Sequence, residues 1–367
     1  MTQNDFASSN LLGKKIDEWD IKGMINVPSS LVARGVTDYA LFYTVGDVDG
    51  NEYVMKVLDV YKCYSHPLLA NQRRSAILEE AIRDFRYEAA LAEHCKDAKL
   101  SRLVTYISSG EVEIEEFPQP LVCYIVYEKS NGSVLDVLDF SEKVTLAERL
   151  QTAAEKLRML HNIATGVNQL HKVKVSHQDL SPSKILAVGK DFKLGDLSRA
   201  LCLNPELGCP FSLDDFNGRD YTYAPPEVIF KCKLEKEEER IYQVDNYMIG
   251  SLLVFYLTGV SYNVLLNNHL PESMREMESS GMSFEDVKTY LKGAHAEALL
   301  ELKEDLAIEE IRDGVVKVVE YLCEPDPERR GHPKVIGEKS KVSHYDLIRT
   351  IAHLDLLSKK AELALLK

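Results

Sequence analysis

The chain is short of positive charge. Its 44 lysines and arginines face 58 aspartates and glutamates, for a formal net charge of −14 at pH 7. A general nucleic-acid binder, or a protein held on an anionic lipid surface, needs a basic face, so those classes are disfavoured. Cysteine is sparse and scattered. Cys63, Cys95, Cys123, Cys202, Cys209, Cys232 and Cys323 form no C-x-x-C pair, so neither a zinc site nor a disulfide framework is suggested. Reduced thiols and a cytoplasmic location are expected. Long apolar runs are missing too. The stretch Tyr247 to Tyr262 contains Gly250, Thr258 and Gly259 and is shorter than the roughly 20 residues that span a bilayer. It reads as a buried helix, with no membrane partner. Met1 to Asp20 is polar, with no apolar signal core, and residues 1–23 read as a loosely held lead-in. Glycine is scarce between Ile25 and Phe42, where only Gly35 occurs.

What is present is ordinary globular composition. The 367 residues are 45% hydrophobic and 28% charged, enough for one large or two moderate cores. The first third reads as strands with one helix. Tyr39 to Val45 and Glu52 to Leu58 are rich in β-branched and aromatic residues around an Asp47-Val48-Asp49-Gly50-Asn51 turn. Leu78, Ile82, Phe85 and Ala89 mark a helix over 74–95. Leu103 to Ser108 and Val122 to Tyr127 read as further strands. After Asn131-Gly132 the pattern turns helical. Thr145 and Glu148 form a capping box, and Leu146 to Leu170 carries an apolar stripe at steps of three and four. Further helical patterns lie at 244–259, 284–303, 308–323 and 343–366. The order implies a small strand-rich lobe, a larger helical lobe and a cleft between them.

The chemistry concentrates in His177-Gln178-Asp179-Leu180-Ser181-Pro182-Ser183-Lys184-Ile185-Leu186 and in Lys193-Leu194-Gly195-Asp196-Leu197-Ser198. Between them, Ile185 to Val188 and Asp191 to Leu194 read as two short strands around Gly189-Lys190. Such a hairpin brings Asp179 and Asp196 to the same end of the unit. One carboxylate can orient a hydroxyl and accept its proton, and the other can hold a magnesium ion on phosphate oxygens.

This stretch resembles the H-R-D-L-x-x-x-N loop and the D-F-G motif of protein kinases. Val54-Met55-Lys56-Val57-Leu58 is similar to the V-A-I-K strand, whose lysine contacts the α- and β-phosphates; taken alone, a strand lysine is more often an edge or solvent residue. Glu88 fits the helix glutamate that pairs with it, with Glu79, Glu80 and Glu93 as competitors and an insertion implied around 61–74. Tyr124 to Ser130 resembles the strand entering the interlobe hinge. There, backbone groups of Glu128 and Ser130 would meet the adenine edge, and Tyr127 would narrow the back of the pocket. Ala224-Pro225-Pro226-Glu227 resembles A-P-E, with Glu227 paired to Arg330, and Asp245 resembles the aspartate that holds the catalytic loop's backbone. The resemblance implies an α+β, bilobal protein-kinase-like fold. Its parts are a lead-in at 1–23, an N-lobe at 24–130, a C-lobe at 131–338 and a C-terminal helix at 339–367. It also implies ATP and one magnesium ion: catalytic Asp179, Lys56 and Asp196, the metal on Asp196, and cofactor contacts from Lys56, Glu88, Glu128, Ser130, Gly35 and Lys184.

The pattern is also broken in places. Gly35 alone stands where the family has G-x-G-x-x-G, which weakens close backbone approach to phosphates. Gln178 replaces the arginine of H-R-D, which makes switching by phosphorylation at Ser212, Tyr221 or Thr222 less expected. Ser181 replaces a lysine common in serine/threonine kinases, and Ser198 the glycine of D-F-G. Lys184 stands where the family has a metal-ligating asparagine. It either neutralises phosphate charge or bridges to Asp179 or Asp196 and locks the site. The leading expectation is transfer of the ATP γ-phosphoryl group to a protein serine or threonine hydroxyl, or to tyrosine. The alternatives are a pseudokinase that binds nucleotide or serves as a scaffold for a regulated partner, and a small-molecule phosphotransferase. The C-terminal helix could be a partner surface or could pack on its own lobe.

Overall fold

A computed structural model describes residues 2–25, 39–65, 73–138, 145–212, 221–232, 237–275, 282–336, 343 and 345–366. The N-terminal part is built on a six-stranded antiparallel sheet. Its strands are β1 (Lys15–Ile16), β2 (Trp19–Ile25), β3 (Ala40–Gly46), β4 (Glu52–Leu58), β5 (Tyr106–Glu113) and β6 (Leu121–Glu128). They lie in the order β1-β2-β3-β4-β6-β5. Two helices, α1 (Val60–Ser65) and α2 (Arg74–Asp97), lie between β4 and β5 in the chain.

Side chains alternate across a strand, so each face of this sheet has its own core. Met55 and Val57 of β4 join Tyr43, Val45, Val122, Tyr124 and Val126 on one face, which Ala7, Leu11 and Trp19 complete. Leu58 joins Cys123 and Ile125 on the other, with Phe85 and Ala92 of α2. Lys56 falls on this second face. Because β4 lies between β3 and β6, Lys56 is on an inner strand and not an edge.

The expected loose lead-in over 1–23 is corrected. Phe6, Ala7 and Leu11 are fully buried. Ala7 N–H donates to the Gln119 carbonyl and Gln119 N–H to the Asp5 carbonyl, both at 2.9 Å. The Tyr43 hydroxyl donates to the Ser8 carbonyl at 2.9 Å. Phe6 meets the rings of Tyr61 and Tyr64 edge-on at 5.4 and 5.8 Å. Its apolar residues are too widely spaced to register as a run, yet each finds the sheet or α1. A second correction concerns 103–108: Leu103 makes only an isolated bridge to Leu194, and β5 runs from Tyr106 to Glu113. As an edge strand it carries polar residues, which hid its length from the sequence pattern.

The helical part begins with α3 (Val134–Val137) and the long α4 (Leu146–Lys172). The expected capping box closes α4: Glu148 N–H donates to Thr145 Oγ1 at 3.2 Å and Thr145 N–H to Glu148 Oε2 at 3.0 Å. Then follow β7 (Val175–Ser176), β8 (Ile185–Val188), β9 (Asp191–Leu194) and β10 (Leu201–Cys202). The later helices are α5 (Pro226–Ile229), α6 (Glu237–Thr258), α7 (Tyr262–Asn268), α8 (Glu272–Arg275), α9 (Phe284–Asp305), α10 (Glu309–Leu322) and α11 (Ile348–Ala364). One core joins α4, α6, α9 and α10 and takes in Leu91 and Cys95 of α2. The C-terminal α11 packs on its own lobe: Leu354, Leu357 and Ala361 are buried, and Ser358 Oγ donates to the Ala154 carbonyl of α4 at 3.0 Å. No single described helix is long and apolar enough to cross a membrane. The seven cysteines are free thiols.

Candidate functional site

The hairpin of β8 and β9 forms with Ile185 opposite Leu194 and Val188 opposite Asp191. Gly189 holds the turn at φ +60°, a conformation that costs glycine nothing. The hairpin sets Lys184, just before β8, beside Asp196, just after β9. Asp196 itself adopts φ 58°, an uncommon left-handed backbone for a residue with a side chain. That turn aims its carboxylate at the sheet.

Asp196 receives two cations. Lys56 Nζ reaches Oδ1 at 3.0 Å, and Lys184 Nζ pairs with Oδ2. Lys56 also donates to both carboxylate oxygens of Glu88, at 2.8 Å each. Glu88 is thus the partner, while Glu79, Glu80 and Glu93 are exposed. Lys184 Nζ lies 3.9 Å from Asp179 Oδ2. The chain Asp179, Lys184, Asp196, Lys56, Glu88 therefore runs from the catalytic-type loop to α2, and all but Asp196 are buried residues. Burial opposes charge on Lys56, but Asp196 and Glu88 outweigh it and lift its pKa above the ordinary lysine value. Burial likewise pushes the Asp196 carboxyl up, and the ammonium groups of Lys184 and Lys56 more than reverse this, holding it well below the usual range. Lys56 and Asp196 are therefore charged at neutral pH.

Buried hydrogen bonds fix the loop that carries Asp179. Asp245 of α6 accepts from the backbone N–H groups of His177 and Gln178 at 2.9 and 2.8 Å, from Ser176 Oγ at 2.8 Å, and pairs with His171 Nε2 at 2.9 Å. Burial raises the Asp245 carboxyl, and these partners, His171 first, bring it below its ordinary value. Gln178, where the family has arginine, turns its amide to Ser176 Oγ at 2.6 Å and to the Ile241 carbonyl at 2.7 Å. His177 opens the motif that carries Asp179. Its Nε2 bonds the Gly195 carbonyl at 3.0 Å, and its Nδ1 accepts from Asp179 N–H at 3.4 Å. It joins the two aspartate-bearing segments directly. His171 and Ser176 also went unread, because an isolated histidine or serine carries no spacing signal. Farther off, Arg330 meets Glu227 through two parallel bonds of 2.5 and 2.8 Å, with neither side chain exposed.

At the hinge side, Tyr127 donates to Glu88 Oε1 at 3.3 Å. Burial and the Glu88 charge raise the phenol well above its ordinary pKa, so it remains a donor. Glu128 ends β6. Its N–H donates to the Thr105 carbonyl at 2.9 Å, and its carboxylate accepts from Thr105 N–H and Lys193 Nζ, both at 2.6 Å. The Glu128 amide and carboxylate are thus both engaged within the protein. Ser130 is partly buried in the following link, which Asn131 N–H ties to the Ala187 carbonyl at 2.8 Å. Gly35 lies outside the described residues, as does the centre of the implied insertion, residues 66–72.

The donor set does not fit a resident divalent metal. Both Asp196 oxygens are engaged by ammonium groups, and the position expected to supply a second ligand is a lysine. Among the described residues, no group of three or more histidine, cysteine, aspartate or glutamate side chains could hold a metal.

A protein kinase domain family model matches residues 60–339. The chain is 25% identical over 190 residues to a calcium and calcium/calmodulin-dependent serine/threonine-protein kinase of Pisum sativum, covering 48% of this chain and 33% of that protein. It is 29% identical over 126 residues to the serine/threonine-protein kinase DCLK1 of Rattus norvegicus, covering 32% and 25%. It is 26% identical over 119 residues to a Wee1-like protein kinase of Oryza sativa subsp. japonica, covering 32% and 19%. The chain thus spans 19% to 33% of the lengths of these relatives. The family match takes in most of the helical part, both aspartate segments and the buried Glu227–Arg330 pair, and with the two-part α+β architecture it establishes that this chain belongs to the protein kinase domain family.

Proposed function

We propose that the chain binds ATP between its two lobes and transfers the γ-phosphoryl group to a serine or threonine hydroxyl of a protein substrate. The observation that carries this reading is the assembled Lys56–Glu88 pair facing Asp196, with Asp179 one lysine away. Asp179 orients the substrate hydroxyl and accepts its proton as the oxygen attacks the γ-phosphorus. The bond to the β–γ bridging oxygen breaks and ADP leaves. Lys56, fixed by Glu88, meets the α- and β-phosphates. Holding that ammonium in advance lowers the ordering cost at binding. A cytoplasmic location belongs to the same proposal.

Lys184 favours a second reading. An ammonium that bridges both aspartates could fix a site that binds nucleotide without transferring phosphate, leaving a regulatory binding module. Transfer of label from γ-labelled ATP to the protein itself or to a generic basic protein separates the two. Incorporation that Asp179→Asn abolishes supports the enzyme. No incorporation by the wild type, with nucleotide still stabilising the fold, supports the binding module.

A further inference from the structure

The site has a cation where a metal ligand is expected. Lys184 ends the 3₁₀ turn Pro182–Lys184 and is buried there. Its Nζ pairs with Asp196 Oδ2 and stands 3.9 Å from Asp179 Oδ2. Lys56 holds the other Asp196 oxygen at 3.0 Å. Across Asp179, Asp196 and Glu88, two ammonium groups face three carboxylates, and without Lys184 only one would.

We infer that Lys184 is a built-in counter-cation, so that this cleft binds a nucleoside triphosphate without a divalent metal ion. The inference rests on the nucleotide reading above. A bare Asp196 would repel a polyphosphate, and removing that repulsion is one task a metal ion performs. Lys184 performs it from within the chain. It is already in place, so binding does not require recruiting an ion from solution. An ammonium has three donors, so Lys184 can keep Asp196 while turning toward a phosphate oxygen. A divalent ion on Asp196 must instead displace an ammonium already paired with it, and like charge opposes its approach. Magnesium that travels on the nucleotide is therefore tolerated and not needed for affinity.

The test is a thermal-shift titration of the full chain with ATP, once in EDTA and once in magnesium. Stabilisation by a ligand that binds only the folded state follows its concentration relative to Kd. The wild type is expected to give affinities within about threefold in the two buffers. Lys184→Asn is expected to lose about ten- to a hundredfold in EDTA, the range for a hydrogen bond to a charged group, and to recover in magnesium. Lys184→Arg should retain binding in EDTA. Wild-type stabilisation that needs magnesium overturns this inference and leaves the nucleotide reading standing, and so does a Lys184→Asn protein that binds as the wild type does in EDTA. No stabilisation in either buffer overturns both. The wild-type comparison decides the matter even if Lys184→Asn does not fold.

Discussion

Tyr127 and Glu88 meet behind the cleft, the phenol donating to Oε1 at 3.3 Å. Glu88 therefore answers to the hinge strand as well as to Lys56. Tyr127→Phe removes a donor from a buried carboxylate while keeping the ring. The expected loss is about 1 kcal/mol of stability, read from the urea midpoint, together with weaker ATP binding because the Lys56–Glu88 pair is less constrained. An unchanged midpoint and affinity would show that the phenol only fills space.

Breaking the Arg330–Glu227 pair should cost a large share of the fold's stability. Both side chains are buried, and the guanidinium also bonds the Glu324 and Gln243 carbonyls at 2.9 and 3.0 Å. Removing either partner leaves a buried charge unpaired. Glu227→Gln should cost about 3–5 kcal/mol in denaturant unfolding. Replacing both partners by apolar residues should recover part of that loss.

The N-terminal segment should behave as part of the sheet's core. Phe6 is fully buried between the sheet and α1. Phe6→Ala is expected to cost about 3–5 kcal/mol. A mutant as stable as the wild type would return this segment to the loose lead-in that its sparse apolar pattern suggests.

Stability should also fall on mild acidification. Burial lowers the His295 pKa from 6.5 to about 4, and its Nδ1 lies 2.6 Å from the Tyr262 hydroxyl. Between those values the unfolded chain takes up a proton that the folded chain refuses, so stability rises with pH across this window and is lost on the way down. The loss is about 3 kcal/mol from pH 7 to pH 4. Burial lowers His332 and His353 as well, which acts in the same direction. Asp245 has the opposite sign of ionisation: its depressed pKa contributes stability above the ordinary carboxylate range, and that stability goes only below about pH 4. Urea midpoints measured from pH 7 to 4.5 should decline, and His295→Gln should flatten part of the slope.

Local signals were the readable ones. Glu52–Leu58, Ile185–Val188 and Asp191–Leu194 form as strands where apolar runs and turn residues put them. The helix over 74–95 runs from Arg74 to Asp97. The capping box at Thr145 and Glu148 marks the start of α4 correctly. The resemblance picked Glu88 from four candidate carboxylates, a choice that depends on which face of α2 meets Lys56. Long-range pairing outside the motifs that carry the resemblance was not readable. The Phe6–Gln119 bridge joins segments far apart in the chain, and no local pattern announces it. Lys184 shows the limit most clearly: its charge was evident, but its partner depends on the β8–β9 register and on the left-handed turn at Asp196.

The central claim is that Lys56, Lys184, Asp179 and Asp196 surround a nucleotide's phosphates. A crystal structure with a non-hydrolysable ATP analogue tests it most directly. The account predicts phosphate oxygens within hydrogen-bond distance of Lys56 and Lys184, with the adenine edge at the Glu128 carbonyl and the Ser130 backbone. An analogue bound elsewhere, or a cleft left empty at saturating analogue, would contradict it.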